Sequence, residues 1–255
     1  LKVNVAARVQ EESARKAVES EVKVARAIQA SLLPRRFPPF PERKEFDLHA
    51  VNEPAKIIAG DFFDFFFIDD DTLALVMADV SGKGVPAAMF MAVTRTAMRN
   101  FTAPGKTPGQ ILKQVNDVMT RDNDHDMFVT VFYGFYNVRT GDLDYANAGH
   151  NPPYVIRRGG GLDMLGPTGT ILAAFEETKY MDRRVRLDPG DVLVLFTDGV
   201  TEANNGGPLY GTTAFERLLL DIGGQPVEEI CQTVTRTVSE YSGHELRDDV
   251  TLRDG

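Results

Sequence analysis

Apolar positions along the chain follow two different periods, and the change comes at one place. Residues 1–33 contain no Gly or Pro and are rich in Ala, Glu, Lys, Arg and Val, which predicts a helix. Val18, Val22, Ala25, Gln29 and Leu32 recur there at alternating four- and three-residue steps, the spacing of a coiled-coil seam. Two readings of the seam stay open: an amphipathic helix packed on its own domain, or one strand of a two-stranded coiled coil. Pro34, Pro38, Pro39 and Pro41 end the helix, because proline lacks the amide donor and clashes with the preceding turn. The chain thus divides into a linker helix over 1–33 and a domain over 34–255.

Beyond the prolines the apolar positions come in short runs of strand type. Leu73–Ala78, Val129–Val138, Leu143–Ala148 and Val192–Phe196 predict strands, with turn signals at Thr140-Gly141-Asp142 and Asp188-Pro189-Gly190. Asp61 heads another, in which Phe62, Phe63, Phe65, Phe66 and Phe67 read as strand core. Gly159-Gly160-Gly161 reads as a hairpin tip. Helices are expected at about 85–101, 108–122, 213–222 and 226–241, with Pro86, Pro108 and Pro226 in their first turns. Strands and helices mix without alternating regularly. That pattern favours an α/β (α+β) fold of sheets covered by helices over a doubly wound nucleotide fold.

Composition narrows the function. The 255 residues are 43% hydrophobic and 25% charged, which is globular. Lys and Arg number 28 against 37 Asp and Glu, a net charge of −9 that leaves no broad positive field for nucleic acid or anionic membrane. Cys231 is the single cysteine, so neither a disulfide framework nor a cysteine-ligated zinc site is available, and a buried apolar role is expected for it. The longest apolar run, Phe62–Ile68, is interrupted by Asp64 and falls far short of the ~20 residues that cross a bilayer. A cytoplasmic location is expected. The first residue is Leu rather than Met, and the expectation is a piece of a longer protein with a sensor or regulatory module upstream.

The candidate chemistry lies in the aspartates. Asp61 follows Gly60, Asp79 ends the run Leu73–Ala78 and enters Val80-Ser81-Gly82-Lys83-Gly84, Asp198 follows Val192–Phe196, and Asp248-Asp249 precede Val250-Thr251-Leu252. A strand end beside a glycine turn places a short carboxylate at the rim of a sheet. Several rims together suit hard divalent cations, which take oxygen ligands, and a cation pair ~3.5–4 Å apart can activate water and offset phosphoryl charge. Each aspartate alone would read as an ordinary turn former. Gly82-Lys83-Gly84 lacks the spacing of a nucleotide phosphate loop. Gly149-His150-Asn151-Pro152-Pro153 reads as a turn in which His150 and Asn151 tie down backbone, rather than as a general acid.

Five ordered segments carry a resemblance: Ala59-Gly60-Asp61-Phe62-Phe63-Asp64, Ala78-Asp79-Val80-Ser81-Gly82-Lys83-Gly84, Asn147-Ala148-Gly149-His150-Asn151-Pro152-Pro153, Phe196-Thr197-Asp198-Gly199-Val200-Thr201-Glu202-Ala203 and Arg247-Asp248-Asp249-Val250-Thr251-Leu252. Together they resemble the SpoIIE/RsbU branch of metal-dependent (PPM, type 2C-like) serine/threonine phosphatases, over about residues 45–252. Gln29-Ala30-Ser31-Leu32-Leu33-Pro34 is similar to the lead-in helix of that branch. The resemblance implies an α-β-β-α sandwich of two antiparallel sheets flanked by helices. It implies two cations, Mn²⁺ or Mg²⁺, held by Asp61, Asp79, the Val80 carbonyl, Asp198 and Asp248, with Lys56 on the substrate phosphate and Asp249 in support. Asp64 fits the motif without an assigned role. The implied reaction is hydrolysis of phosphoserine or phosphothreonine by direct attack of an activated water, without a covalent enzyme intermediate. The implied substrate is a phosphorylated STAS-type anti-sigma-factor antagonist, and the implied assembly a homodimer through the N-terminal helix. Ala59 stands where the family has the first Gly of Gly-Gly-Asp, no His follows the second aspartate, and the last strand looks clipped. A catalytically silent module of the same fold and a two-metal nucleotide cyclase are the competing readings.

Overall fold

The computed structural model describes residues 2–53, 60–121, 123–243 and 250–254. Its elements in chain order are α1 (Lys2–Leu32), β1 (His49–Glu53), β2 (Phe62–Phe67), β3 (Thr72–Val80), α2 (Val85–Phe101), α3 (Pro108–Met119), β4 (Val129–Asn137) and β5 (Asp142–Ala148). There follow β6 (Tyr154–Ile156), β7 (Leu162–Met164), β8 (Arg183–Arg186), β9 (Val192–Phe196), α4 (Asp198–Thr201), α5 (Thr212–Ile222), α6 (Val227–Tyr241) and β10 (Val250–Asp254).

The strands form two antiparallel sheets, ordered β2-β3-β4-β5-β8 and β1-β10-β9-β6-β7. The long strands read as unbroken apolar runs because both their faces are covered. Since successive side chains alternate between faces, β3 sends Ala74, Val76, Ala78 and Val80 to one side and Leu73, Leu75 and Met77 to the other. The first set packs with Met91 and Met98 of α2 and Ile111, Leu112 and Val115 of α3. The second set meets Leu193 and Leu195 of β9 across the sandwich, together with Phe63, Phe65, Phe132 and Val155. On the outer face of the second sheet, Val194 and Phe196 pack against Phe215, Leu219, Ile230 and Val234 of α5 and α6. Three apolar layers between four structural layers make the α-β-β-α sandwich.

Helix starts follow the local chemistry. Thr107 accepts from the Gln110 amide at 3.3 Å while the Gln110 side chain accepts from the Thr107 amide at 3.0 Å, a reciprocal cap on α3. Differences from the expected boundaries are small and local. β3 runs through Asp79 to Val80 rather than ending at Ala78, because β4 continues to pair with it: Asp79 stands opposite Thr130 and Val80 opposite Val129. The helix expected over 108–122 stops at Met119. The short strands β1, β6, β7 and β8 were not expected as strands, although the hairpin tip expected at Gly159-Gly160-Gly161 does lie between β6 and β7.

The seam of α1 divides between its two readings. Gln29 is buried, Val22, Ala25 and Leu32 are half-buried, and α1 packs on α2. Val18 is 59% exposed, and every residue over 7–21 is exposed. Cys231 is buried, as expected of an apolar cysteine.

Candidate active site

Strand register brings the first two aspartates face to face. β2 and β3 pair with Phe62 opposite Ala78, so one residue further out Asp61 comes opposite Asp79. Alternation then fixes their direction. Asp61 shares its face with Phe63 and Phe65, and Asp79 shares its face with Leu75 and Met77, all of which point toward the second sheet. Both carboxylates therefore sit at one end of the sandwich, facing its interior. Asp61 is buried and Asp79 half-buried.

The glycine before Asp61 ties this pair to a third oxygen. A Cβ on Gly60 would lie 2.7 Å from the Val80 carbonyl oxygen and 3.6 Å from Asp79 Oδ1. The carbonyl expected as a main-chain ligand thus occupies the space that a side chain at residue 60 would need. The following turn is rigid. The Ser81 amide donates to the Phe128 carbonyl, the Phe128 amide donates to Ser81 Oγ, both at 2.9 Å, and Gly82 and Gly84 take φ of 84° and 86°. Gly84 caps α2, so Gly82-Lys83-Gly84 serves backbone geometry and the start of a helix.

The second sheet supplies Asp198. It is half-buried and opens the short helix α4 directly after β9, instead of lying in an open turn. β10 begins at Val250, two residues after Asp248, and pairs with β1 and β9 at this end of the sheet, with Val250 opposite Glu53 and Leu252 opposite Phe196. Asp248, Asp249 and Lys56 lie outside the described residues. Among the described residues no group of three or more His, Cys, Asp or Glu side chains is placed to hold a metal ion by itself. The donors present are nevertheless all oxygens. The space kept open at Gly60 draws Asp79 and the Val80 carbonyl together next to Asp61, and this set fits a hard divalent cation.

Asp64, whose role the motif left open, is a buried anchor. It falls on the opposite face of β2 from Asp61, toward α2, where Arg99 grips it through Nε at 2.5 Å and Nη2 at 2.7 Å. Arg95 Nε lies 3.0 Å from Oδ2, and the Phe65 amide donates to Oδ1 at 2.9 Å. Arg99 also stacks over the Phe66 ring, its guanidinium carbon 4.4 Å from the centroid. The carboxylate raises the Arg99 pKa, whereas burial and the neighbouring Arg99 lower that of Arg95. A lone Asp within a Phe-rich strand calls for a cation, but nothing in the sequence singles out Arg95 and Arg99, one turn apart on α2, as its partners.

His150 is fully buried, and its turn is held differently from expectation. Asn147, not Asn151, fixes the backbone: its Oδ1 accepts from the His150 amide at 2.8 Å and its Nδ2 donates to the His150 carbonyl at 3.1 Å. The ring reaches Thr130 instead, with Nδ1 2.9 Å from Oγ1. Burial pushes the imidazole pKa down to about 3, only partly opposed by the Phe196 main chain. A cleft of about 790 Å³ opens at the far end of the sandwich beside Tyr136, Arg157 and Val192. Its Arg157 is engaged by Asp163 and Asp191 at 2.6 Å each.

The fold and the ordered motifs now have a counterpart. Residues 69–253 match the family model for Stage II sporulation protein E (SpoIIE). The chain belongs to the SpoIIE family. This makes it a PPM-type phosphatase of the SpoIIE/RsbU branch. It is 30% identical over 236 residues to the phosphoserine phosphatase RsbU of Bacillus subtilis, a match covering 92% of the chain and 69% of RsbU. The SiaA-PP2C domain of Pseudomonas aeruginosa superposes with a TM-score of 0.83 at 23% identity, over 94% of this chain and 97% of that one, a likeness of fold. The RsbU and RsbW domains of Rv1364c from Mycobacterium tuberculosis give 0.71 at 29% identity, over 82% of this chain and 58% of theirs.

Proposed function

We propose that this SpoIIE-family member hydrolyses phosphoserine or phosphothreonine on a protein at a two-cation site. Asp61, Asp79, the Val80 carbonyl, Asp198 and Asp248 hold the cations, Mn²⁺ or Mg²⁺. The observation that carries this reading is the juxtaposition of Asp61 and Asp79 on the inward face, with Gly60 seated against the Val80 carbonyl. When bound, such cations lower the pKa of water and offset phosphoryl charge.

The chain's own contribution is placement and electrostatics. Buried Asp61 and half-buried Asp79 are set by strand register rather than by mobile loops, so the approach of the phosphoryl group is defined from one side. Asp198 approaches from the other sheet. Lys56 binds the phosphoryl oxygens, and its attraction for them is stronger where water is excluded. Asp249 supports Asp248. The substrate we assign is a phosphorylated STAS-type antagonist of an anti-sigma factor, which the kinship with RsbU supports. An upstream sensor module and a homodimer joined through α1 complete the proposal. Among the described residues no helix is long and apolar enough to cross a membrane, in keeping with cytoplasmic action.

The test is release of phosphate from a phosphoserine protein and from p-nitrophenyl phosphate, with and without Mn²⁺. Activity is expected to vanish in chelator, return with Mn²⁺ or Mg²⁺, and be lost in Asp61→Asn and Asp198→Asn while the fold persists. Full activity in excess chelator would end the two-cation reading.

A further inference from the structure

The two sheets supply different halves of the proposed site, so something must set the distance between them. Asp61 and Asp79 belong to the β2-β3-β4 sheet, while Asp198 follows β9 of the other. At this end of the sandwich His150 stands between the two sheets. His150 lies on the connection between β5 of the first sheet and β6 of the second, with 2% of its surface exposed. Its Nδ1 meets Oγ1 of Thr130, and Thr130 is the residue paired with Asp79 in the β3–β4 ladder. Its ring also faces the main chain of Phe196, two residues before Asp198. The backbone of His150 is clamped by Asn147, itself fully buried, which fixes the point from which the ring projects.

We propose that His150 is a positioning residue that sets the separation of the two carboxylate rims, linking the Asp79 ladder through Thr130 to the β9 end that carries Asp198. The inference rests on the two-cation reading and adds the element that aligns its halves. Supports of metal ligands typically carry 10–100-fold of metal affinity. The loss here is expected at the lower end, roughly tenfold, because His150 acts through one further residue.

The experiment is calorimetric titration of Mn²⁺ into the intact chain as wild type, Thr130→Val, Thr130→Ser and His150→Ala, with folding of each checked by circular dichroism. Thr130→Val keeps the shape and β-branching of threonine and removes only the hydroxyl. Wild type and Thr130→Ser are expected to bind Mn²⁺ alike, and Thr130→Val and His150→Ala roughly tenfold more weakly. A merely structural histidine would lower the melting temperature of His150→Ala and leave Mn²⁺ affinity in folded Thr130→Val unchanged. That result overturns the positioning role while the two-cation reading stands. Absence of Mn²⁺ binding to the wild type would overturn both.

Discussion

Gly60 shows how a single missing side chain can matter to a site it does not enter. Its conformation requires no left-handed backbone; the requirement is space, because a Cβ would come within 2.7 Å of the Val80 carbonyl oxygen. Gly60→Ala is therefore expected to push that carbonyl aside. Mn²⁺ affinity and phosphatase rate should drop together by at least tenfold, with little change in melting temperature, measured by calorimetry and phosphate release. His150 supplies a second residue-scale test, in the absence of metal. Its folded pKa is about 3, against about 6.5 in the unfolded chain. Between these values only the unfolded state takes up the proton, so stability falls as pH falls through 6.5. The wild type should lose about 1.4 kcal/mol by pH 5.5, and about twice that by pH 4.5, beyond any loss shown by His150→Gln. Urea denaturation at three pH values reads this difference. Parallel pH profiles would mean that the ring is not held neutral.

At the scale of elements, the ion cluster of Asp64, Arg95 and Arg99 fixes α2 to β2. Both elements leave the proposed metal rim, β2 from Asp61 and α2 from the Ser81–Gly84 turn, so the cluster closes a frame around it. Removing the anion leaves the largely buried Arg95 guanidinium, and the more exposed one of Arg99 beside it, without their counter-charge. Asp64→Asn should cost about 3–5 kcal/mol, while replacing all three residues by Leu or Met should cost far less. Thermal unfolding of the two variants separates an ionic anchor from simple packing. This cluster also marks where sequence reading stops. The long strands and helices were legible because continuous apolar runs and proline-opened helices announce themselves. Asp61, Asp79 and Asp198 were legible as rim carboxylates for the same reason. The partner of Asp64 was not, because the strand and helix that meet there are 31 residues apart, counted from Asp64 to Arg95, and periodicity carries no information on which faces meet. The short strands were harder to see, since three or four residues cannot establish a period of two: β8 gave no signal, and of β6 and β7 only the glycine tip between them was legible. The exchange of Asn151 for Asn147 as the clamp of the His150 turn has a similar cause. Both lie within reach along the chain, and the choice is made by Asn147 pointing inward from β5.

The whole molecule raises the question of what α1 does once it leaves the domain. At 1.5 Å per residue its 31 residues extend about 46 Å. Only the C-terminal part of the seam, Val22, Ala25, Gln29 and Leu32, turns toward the domain. Earlier along the same seam Val18 is exposed, and residues 7–21 gain support chiefly from exposed i,i+4 pairs such as Lys16–Glu12 at 2.8 Å and Arg15–Glu19 at 3.5 Å. Such pairs add about 0.2–0.5 kcal/mol each, too little to hold an isolated helical half firmly in water. A second α1 laid along Val18 would supply the missing apolar surface, and the packing of α1 on α2 would carry the effect toward the rim. Val18→Glu is the discriminating substitution, because it charges the exposed part of the seam without entering the domain's own packing, as Val22→Glu would. The wild type is expected to show a concentration-dependent monomer–dimer equilibrium in sedimentation, and Val18→Glu to remain monomeric with an altered phosphatase rate per subunit. If the two sediment alike and turn over alike across micromolar concentrations, α1 is an appendage of its own domain and the coupling through it fails.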